Sequence, residues 1–157
     1  MFQTNISLQD FQNSAGRQLG CSEWLKIDQQ RINEFADATN DHQFIHVDEV
    51  RAAKTPFGCT IAHGFLTLSL LSHLMSDSML LPEGTEMVIN YGSDKTRFMQ
   101  PVKVNSRIRS NPTVLDVSRK RNGQYLVKTN VVIEIENDRR PALITDVLSL
   151  YMLKEPS

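Results

Sequence analysis

The chain has 157 residues, 40% of them hydrophobic and 22% charged, and 17 Lys+Arg against 18 Asp+Glu leave a formal net charge of −1. A chain of this size hides roughly 68–70% of its unfolded surface in one core, so disordered and fibrous classes are excluded and a single domain over residues 1–157 is expected. The near-neutral total, with a sequence pI near 6.4, argues against a protein held to nucleic acid by a basic face.

Ser7 stands ahead of Phe11 as a helix cap, and Asp28 ahead of a second helix whose Ile32, Phe35 and Ala36 share one face. Between them, Gln18 to Ile27 reads as a strand. Thr39 to Thr60 is too polar, and too punctuated by Asn40, Pro56 and Gly58, for one regular element. It is expected to be an ordered excursion with a short helix over Asp48 to Lys54. Ile61 to Leu80 has helix length, and its apolar residues point in nearly every direction around a 3.6-residue wheel, which predicts a helix buried all round. His63, Thr67, Ser69, Ser72, His73, Ser76, Asp77 and Ser78 interrupt it, so it does not read as a membrane span. After Pro82 the period becomes two. Met87 to Tyr91, Val102 to Arg109, Val127 to Ile135 and Ala142 to Leu153 read as strands, with Asn122-Gly123 marking a tight type I′ hairpin.

One long buried helix followed by antiparallel strands is packed most economically by wrapping a curved sheet around the helix. The expected class is therefore α+β, a single hot-dog fold. A lone sheet leaves edge strands uncovered, and side-by-side pairing of two copies would remove one, so a homodimer is expected. The opening residues Met1 to Asn5 lack the basic-then-apolar pattern of a secretory leader, and Cys21 and Cys59 form no CxxC. A cytoplasmic protein with reduced thiols, free of membrane and nucleic-acid partners, is the expectation.

Titratable side chains concentrate at Asn40-Asp41-His42-Gln43-Phe44-Ile45-His46-Val47-Asp48. Asp41 and His46 are five apart, so only a loop folding over itself brings them together. A carboxylate beside an imidazole, with ordinary pKa values of about 3.9 and 6.5, can handle one water from two sides. From spacing alone the stronger reading is structural, with Asp41 capping a turn and His46 filling space. The second cluster, Thr60-Ile61-Ala62-His63-Gly64-Phe65, opens the buried helix. A helix start offers unpaired N–H groups, and glycine lets another group approach the backbone closely. A carbonyl oxygen docked there would be polarised. Close helix packing explains Gly64 equally well.

The run Phe35 to Asp48, followed by Pro56-Phe57-Gly58 and Ile61-Ala62-His63-Gly64-Phe65-Leu66-Thr67-Leu68-Ser69, strongly resembles the MaoC-like dehydratases, the family of (R)-specific enoyl-CoA hydratases. Ile89-Asn90-Tyr91-Gly92, Lys95, Arg97-Phe98 and Pro101-Val102 are similar to the branch that includes nodulation protein N. The resemblance implies a hot-dog homodimer that adds water to a trans-2-enoyl-CoA thioester, giving the (3R)-hydroxyacyl product, or runs the reverse. It implies Asp41 and His46 as catalytic residues, the Gly64 amide as donor to the thioester oxygen, and Ser72 as the helix serine that assists the site. It assigns His63 no catalytic role. Many members read Asp-x-Asn-Pro-x-His where this chain has Gln43 and Phe44. The Asp–His separation is kept, so the departure bears on substrate shape.

No cofactor is expected, because the coenzyme A thioester is the substrate and already acidifies its C2. His42, His46, His63 and Asp48 match no usual zinc spacing, so no metal is expected either. Lys103, Arg107 and Arg109, or Arg119-Lys120-Arg121, offer phosphate contacts, although a solvated strand face is the stronger reading. Phe44, Phe57, Met75, Met79 and Met99 are candidates for the pocket, with the methionines read as core. Two rival functions remain at this stage. One is an acyl-CoA thioesterase on the same fold, and the other a non-catalytic protein binding acyl-CoA or an acyl carrier.

Overall fold

The computed structural model describes residues 4–121 and 123–154. In chain order the elements are β1 (Thr4–Ile6), α1 (Leu8–Gln12), β2 (Leu25–Lys26), α2 (Gln29–Thr39), α3 (Phe44–Val47), α4 (Glu49–Ala52), α5 (Gly64–Ser69), α6 (Leu71–Leu74), β3 (Leu80–Pro82), β4 (Thr85–Phe98), β5 (Arg107–Arg119), β6 (Gln124–Ile135) and β7 (Leu143–Leu153). Five strands form one antiparallel sheet in the order β2-β5-β6-β7-β4, while β1 and β3 make a separate parallel pair.

Local chemistry sets the helix starts. Ser7 accepts from the Asp10 amide and Asp28 from the Arg31 amide, as their positions predict, and Asp48 accepts from the Arg51 amide to cap α4. The inward face of β6 carries Tyr125, Val127, Thr129, Val131, Ile133 and Ile135, all buried, against half-buried residues on the alternate positions. The sheet curls around α5 and α6, so that Leu66, Leu70, Leu71, Leu74 and Met75 share one core with Ile108, Val131, Ile133 and Leu143. Ile27 and Ile32 close that core from the α2 side. The buried Ser110 hydroxyl donates to the Leu74 carbonyl at 2.9 Å and ties α6 to β5. This is the hot-dog arrangement, α+β, that the order of elements predicts.

The central helix differs from expectation. It starts at Gly64, not Ile61, and breaks at Leu70 into two short pieces that end by Met75. Ile61 lies instead in an isolated bridge to Lys103. Serine hydroxyls compete for the helix carbonyls: Ser69 donates to Phe65 O, Ser76 to His73 O and Ser78 to Met75 O. The helix is not buried all round either, since Phe65 is 67% exposed and Ser69, Ser72 and His73 lie on the same open side.

Other boundaries shift for identifiable reasons. Gln18 to Ile27 runs beside β5 and bonds to it through Leu19 and Ser22, but Gly20 at φ 85° interrupts it, and only Leu25–Lys26 makes a regular ladder. Val102 to Ser106 keeps alternating burial but pairs through the isolated bridge of Lys103 to Ile61 instead of a ladder continuous with β5, because Asn105 takes a left-handed turn (φ 66°). The strand predicted over Met87 to Tyr91 runs on to Phe98, with three register shifts against β7 that include one at Lys95 (φ 52°). For the predicted Asn122-Gly123 turn, Asn122 lies outside the described residues. Gly123 has φ 68°, and the Gln124 amide donates to Arg121 O at 2.9 Å, closing the link between β5 and β6. Both cysteines are free. Among the described residues no helix is long and apolar enough to cross a membrane.

Candidate active site

The site is assembled where α2 ends and α5 begins. Asn40 caps α2 in the left-handed conformation (φ 58°), a region asparagine tolerates, and the Asp41 amide returns to the Ala36 carbonyl at 3.1 Å. That turn throws Asp41 off the helix end with its carboxylate exposed. Gln43 then starts α3, so the expected helix-free bend contains one helical turn, which carries His46 into the protein at 6% exposure. The Nδ1–H of His46 donates to the Ile61 carbonyl at 2.6 Å, leaving Nε2 as the nitrogen with a free lone pair. The Ile61 amide in turn donates to the Ile45 carbonyl at 3.0 Å.

Asp41, His46 and His63 each bring one side-chain N or O atom within 4.8 Å of the others. The loop fold therefore does what the five-residue spacing required. His63 joins the pair although sequence reasoning gave it no part. Its Nε2–H donates to the main-chain carbonyl of Asp41 at 2.9 Å, and its ring stacks on His46 at 3.8 Å and 25°. Near-parallel stacked rings aim their in-plane lone pairs side by side, a poor arrangement for converging on one ion. Of the other side chains weighed as ligands, His42 is spent on Asp37 at 2.8 Å and Asp48 on capping α4.

Burial lowers the His46 pKa from its ordinary 6.5, with the neighbouring His63 adding to the effect. The Ile61 carbonyl and the Asp41 charge oppose it. The ring is thus biased toward the neutral form that can accept a proton. Gln29 is a second residue that sequence reasoning missed. Its side-chain amide donates to the His46 carbonyl at 2.7 Å, and its oxygen accepts from the Thr60 hydroxyl, joining α2 to both halves of the site. A polar residue in the first turn of a capped helix carries no signal by which sequence alone would have singled it out.

A cavity of about 380 Å³ opens beside His46 and is lined also by Gly64, Thr67, Phe98 and Met99. The Gly64 amide, at the first position of α5, finds no main-chain acceptor among the described residues. Because α5 has six residues, the local N–H rather than an extended helix dipole is the polar feature here. A Cβ at Gly64 would stand 3.0 Å from the Phe98 ring, which is the close approach that glycine permits. Ser72 is not brought to this cavity. It lies on α6, accepts from the Asn90 side chain at 3.3 Å and lines a separate groove of about 640 Å³ between α5/α6 and β4. Met75 and Met79 line that groove too, Met75 while also joining the core, whereas Met99 is half exposed at the His46 cavity and not the core residue expected. Phe44 and Phe57 line neither space. Arg107 and Arg109 are engaged by Glu136 and Glu134 at 2.9 and 2.7 Å, in agreement with a structural strand face.

The chain belongs to the MaoC-like family of dehydratases and hydratases, with residues 10–136 matching the MaoC like domain. It is 50% identical over 147 residues to nodulation protein N of Rhizobium leguminosarum bv. viciae, covering 92% of this chain and 91% of that protein. It is 42% identical over 146 residues to 3-hydroxyacyl-thioester dehydratase Z of Mycobacterium tuberculosis, covering 93% and 96%. Among solved structures, the unliganded R-hydratase PhaJ1 of Pseudomonas aeruginosa shares the fold with a TM-score of 0.67 at 22% identity, over 91% of this chain and 87% of that one.

Because folding holds the His46 pKa below its ordinary value, the stability linked to this ring is fully present above about pH 6.5. It is lost as the pH falls toward the lowered value. Denaturant midpoints taken near pH 7.5 and near pH 5.5 are expected to drop further in the wild type than in His46→Gln. Equal drops would contradict the assignment.

Proposed function

We propose that the protein is an (R)-specific enoyl-CoA hydratase, adding water to trans-2-enoyl-CoA thioesters to give (3R)-hydroxyacyl-CoA and catalysing the reverse dehydration. The observation that carries this reading is the meeting of Asp41 with His46, whose Nε2 is free, beside a cavity lined by Gly64, whose amide has no main-chain acceptor among the described residues. Asp41 and His46 hold one water over C2–C3, and the Gly64 N–H receives the thioester oxygen. As the water oxygen bonds to C3, one proton leaves it for the Asp41/His46 pair and electron density moves through C2 to the thioester oxygen, where the amide stabilises it. Return of a proton to C2 completes the addition. No cofactor takes part, since the thioester acidifies C2 and the amide takes the place of a Lewis acid. Ser72 acts from the α5/α6 groove on the acyl portion of the substrate, not on the thioester oxygen. The name of the mycobacterial relative, a 3-hydroxyacyl-thioester dehydratase, supports the reaction class.

We also propose a homodimer in the cytoplasm, with the 1–157 chain as one domain per copy. Among the described residues β4 is an edge strand of 14 residues paired only to β7. It exposes Met87, Ile89, Tyr91 and Phe98, and Phe65 of α5 packs against Phe98 at 5.8 Å between ring centres. Long apolar edges of this kind are covered in native proteins.

With crotonyl-CoA, loss of enoyl absorbance without thiol release is expected, and chiral analysis should return the 3R product. Thiol release as the main event would instead favour a thioesterase. Asp41→Asn and His46→Ala should each lower the rate by about 10² to 10⁴, and wild-type rates in both would remove them from the mechanism. Gly64→Ala is compatible with the helical backbone, and a Cβ 3.0 Å from the Phe98 ring asks that ring to give by only a few tenths of an ångström. Its unfolding free energy should therefore stay within about 1 kcal/mol of wild type while activity falls. Because alanine keeps the N–H, unchanged activity would show that the substrate needs no side-chain-free approach at this position. Light scattering should give about twice the 17.9 kDa chain mass, shifting toward monomer in Tyr91→Lys, and a stable wild-type monomer would refute the assembly.

A further inference from the structure

His63 is 3% exposed at the centre of the site, and the proposed reaction gives it no proton to carry. Its ring lies between Phe35, at 5.0 Å between centres, and His46, at 3.8 Å. The Nε2–H is spent on the Asp41 carbonyl at 2.9 Å, while Nδ1 is buried with no hydrogen-bond partner among the described residues. Burying an unpartnered nitrogen is unfavourable. Phenylalanine would occupy this slot, between two other rings, without that cost. What a hydrocarbon cannot supply is the N–H that reaches Asp41 from the residue preceding Gly64. That single bond joins the loop bearing the carboxylate to the start of the helix bearing the amide.

We propose that His63 is the positioning residue of the Asp41/His46 pair, fixing the Asp41 backbone through Nε2–H and holding the His46 imidazole by stacking so that its Nε2 stays open to the substrate. His46 is then fixed from two directions, in its plane by the Ile61 carbonyl and across its face by His63. The titratable groups facing the His46 ring are Asp41 from the loop and His63 from the N-cap of α5. α2 contributes the uncharged Gln29, and the far wall of the cavity contributes Phe98, Met99, Gln100 and Pro101, also uncharged. Removing the second imidazole therefore leaves Asp41 as the charged neighbour and moves the His46 titration upward. The effect on rate rests on the hydratase reading, whereas the tether and the titration do not.

The test uses the full chain with two variants. His63→Phe keeps a ring without a donor, and His63→Gln keeps an amide donor without a ring. In His63→Phe, amide exchange across residues 40–43 should quicken by about tenfold or more, and kcat for crotonyl-CoA hydration should fall by about 10- to 100-fold with KM nearly unchanged. His63→Gln should restore slow exchange and most of kcat. In both variants the His46 ring, followed by NMR, should titrate at higher pH than in the wild type, and the acidic limb of the rate profile should move with it. Wild-type exchange, titration and kcat in His63→Phe would overturn the proposal. So would equal loss of kcat in both variants with an unmoved His46 titration, the signature of damaged packing. Should His63→Phe not fold, the His46 titration in His63→Gln decides, an upward shift supporting the role and no shift overturning it. If the wild type hydrates no enoyl thioester, the reaction reading fails while exchange and titration still decide the role of His63.

Discussion

The site depends on the hydrogen bond from His46 Nδ1–H to the Ile61 carbonyl, buried and 2.6 Å long. Leaving either partner unpaired inside the protein would cost about 1–3 kcal/mol, so the bond fixes the tautomer of His46 and the seat of α3 together. Ile61 is itself held in place. Its amide reaches Ile45, Ala62 bonds to Val102 O at 2.8 Å, and Val104 bonds to Thr60 O at 2.9 Å. Residues 60–62 thus act as an extended rung between the polar excursion on one side and the approach to β5 on the other. Side chains alternate along an extended segment, so a slip of one residue would turn Ile61's carbonyl away from His46 and move Gly64 off its cavity. This explains why the helix begins at Gly64. Ile61 and Ala62 are occupied as strand-like connectors, and His63 is the N-cap whose carbonyl accepts the first helix bond, from the Thr67 amide at 3.2 Å.

From that rung Asp41 and His46 inherit different surroundings. His46 is enclosed by Ile61, His63 and the apolar wall of the cavity, while the Asp41 carboxylate stays at the surface. Burial therefore acts on the imidazole and leaves the carboxylate in water. A neutral ring that can accept a proton next to a solvated carboxylate is an arrangement suited to splitting one water. Gln29 reinforces it from α2 by bonding the His46 carbonyl and the Thr60 hydroxyl at once. The helix carrying Ile32 and Ala36 into the core is then the same body that sets the spacing between Asp41 and Gly64.

Much of this was legible in the chain. Ser7 and Asp28 announced their helices by cap chemistry, the period-two run located β6 because alternate residues are buried, and a mostly apolar run located β7. Asp41, His46 and Gly64 were legible as a set through the paired motif more than through spacing. The structure brings His46 and Gly64 to one cavity, with Asp41 in reach of His46. What was not legible shares a physical cause. The break at Leu70 follows Ser69, whose hydroxyl bonds back to the Phe65 carbonyl, and wheel directions do not register that competition. β4 was hidden past Tyr91 by Gly92-Ser93-Asp94-Lys95-Thr96, since an edge strand with bulges has no need of an alternating pattern. Ser72 was assigned through the family resemblance, and the broken helix places it over a different groove. His63 was dismissed because its work is a backbone hydrogen bond and a ring stack, and neither leaves a periodic trace.

The exposed side of α5/α6 and the apolar edge of β4 are two aspects of one surface. Phe65 on α5 meets Phe98 at the end of β4, and further along the same two elements the groove of about 640 Å³ is lined by Ser69, Ser72, Asn90 and Tyr91. The composition that suggested a helix buried all round is therefore unsatisfied within one chain, since Phe65 and Tyr91 remain 67% and 64% exposed. Apolar surface removed from water stabilises by about 25 cal/mol per Å², so the proposed second copy would supply on this side what the sheet supplies on the other. Phe98 belongs to both accounts, as a wall of the His46 cavity and as part of the exposed edge. Covering the edge would hold that ring against Gly64 and limit its freedom to swing into the cavity. On this argument pairing of two copies and the shape of the site are one physical problem, joined at the contact between Gly64 and Phe98.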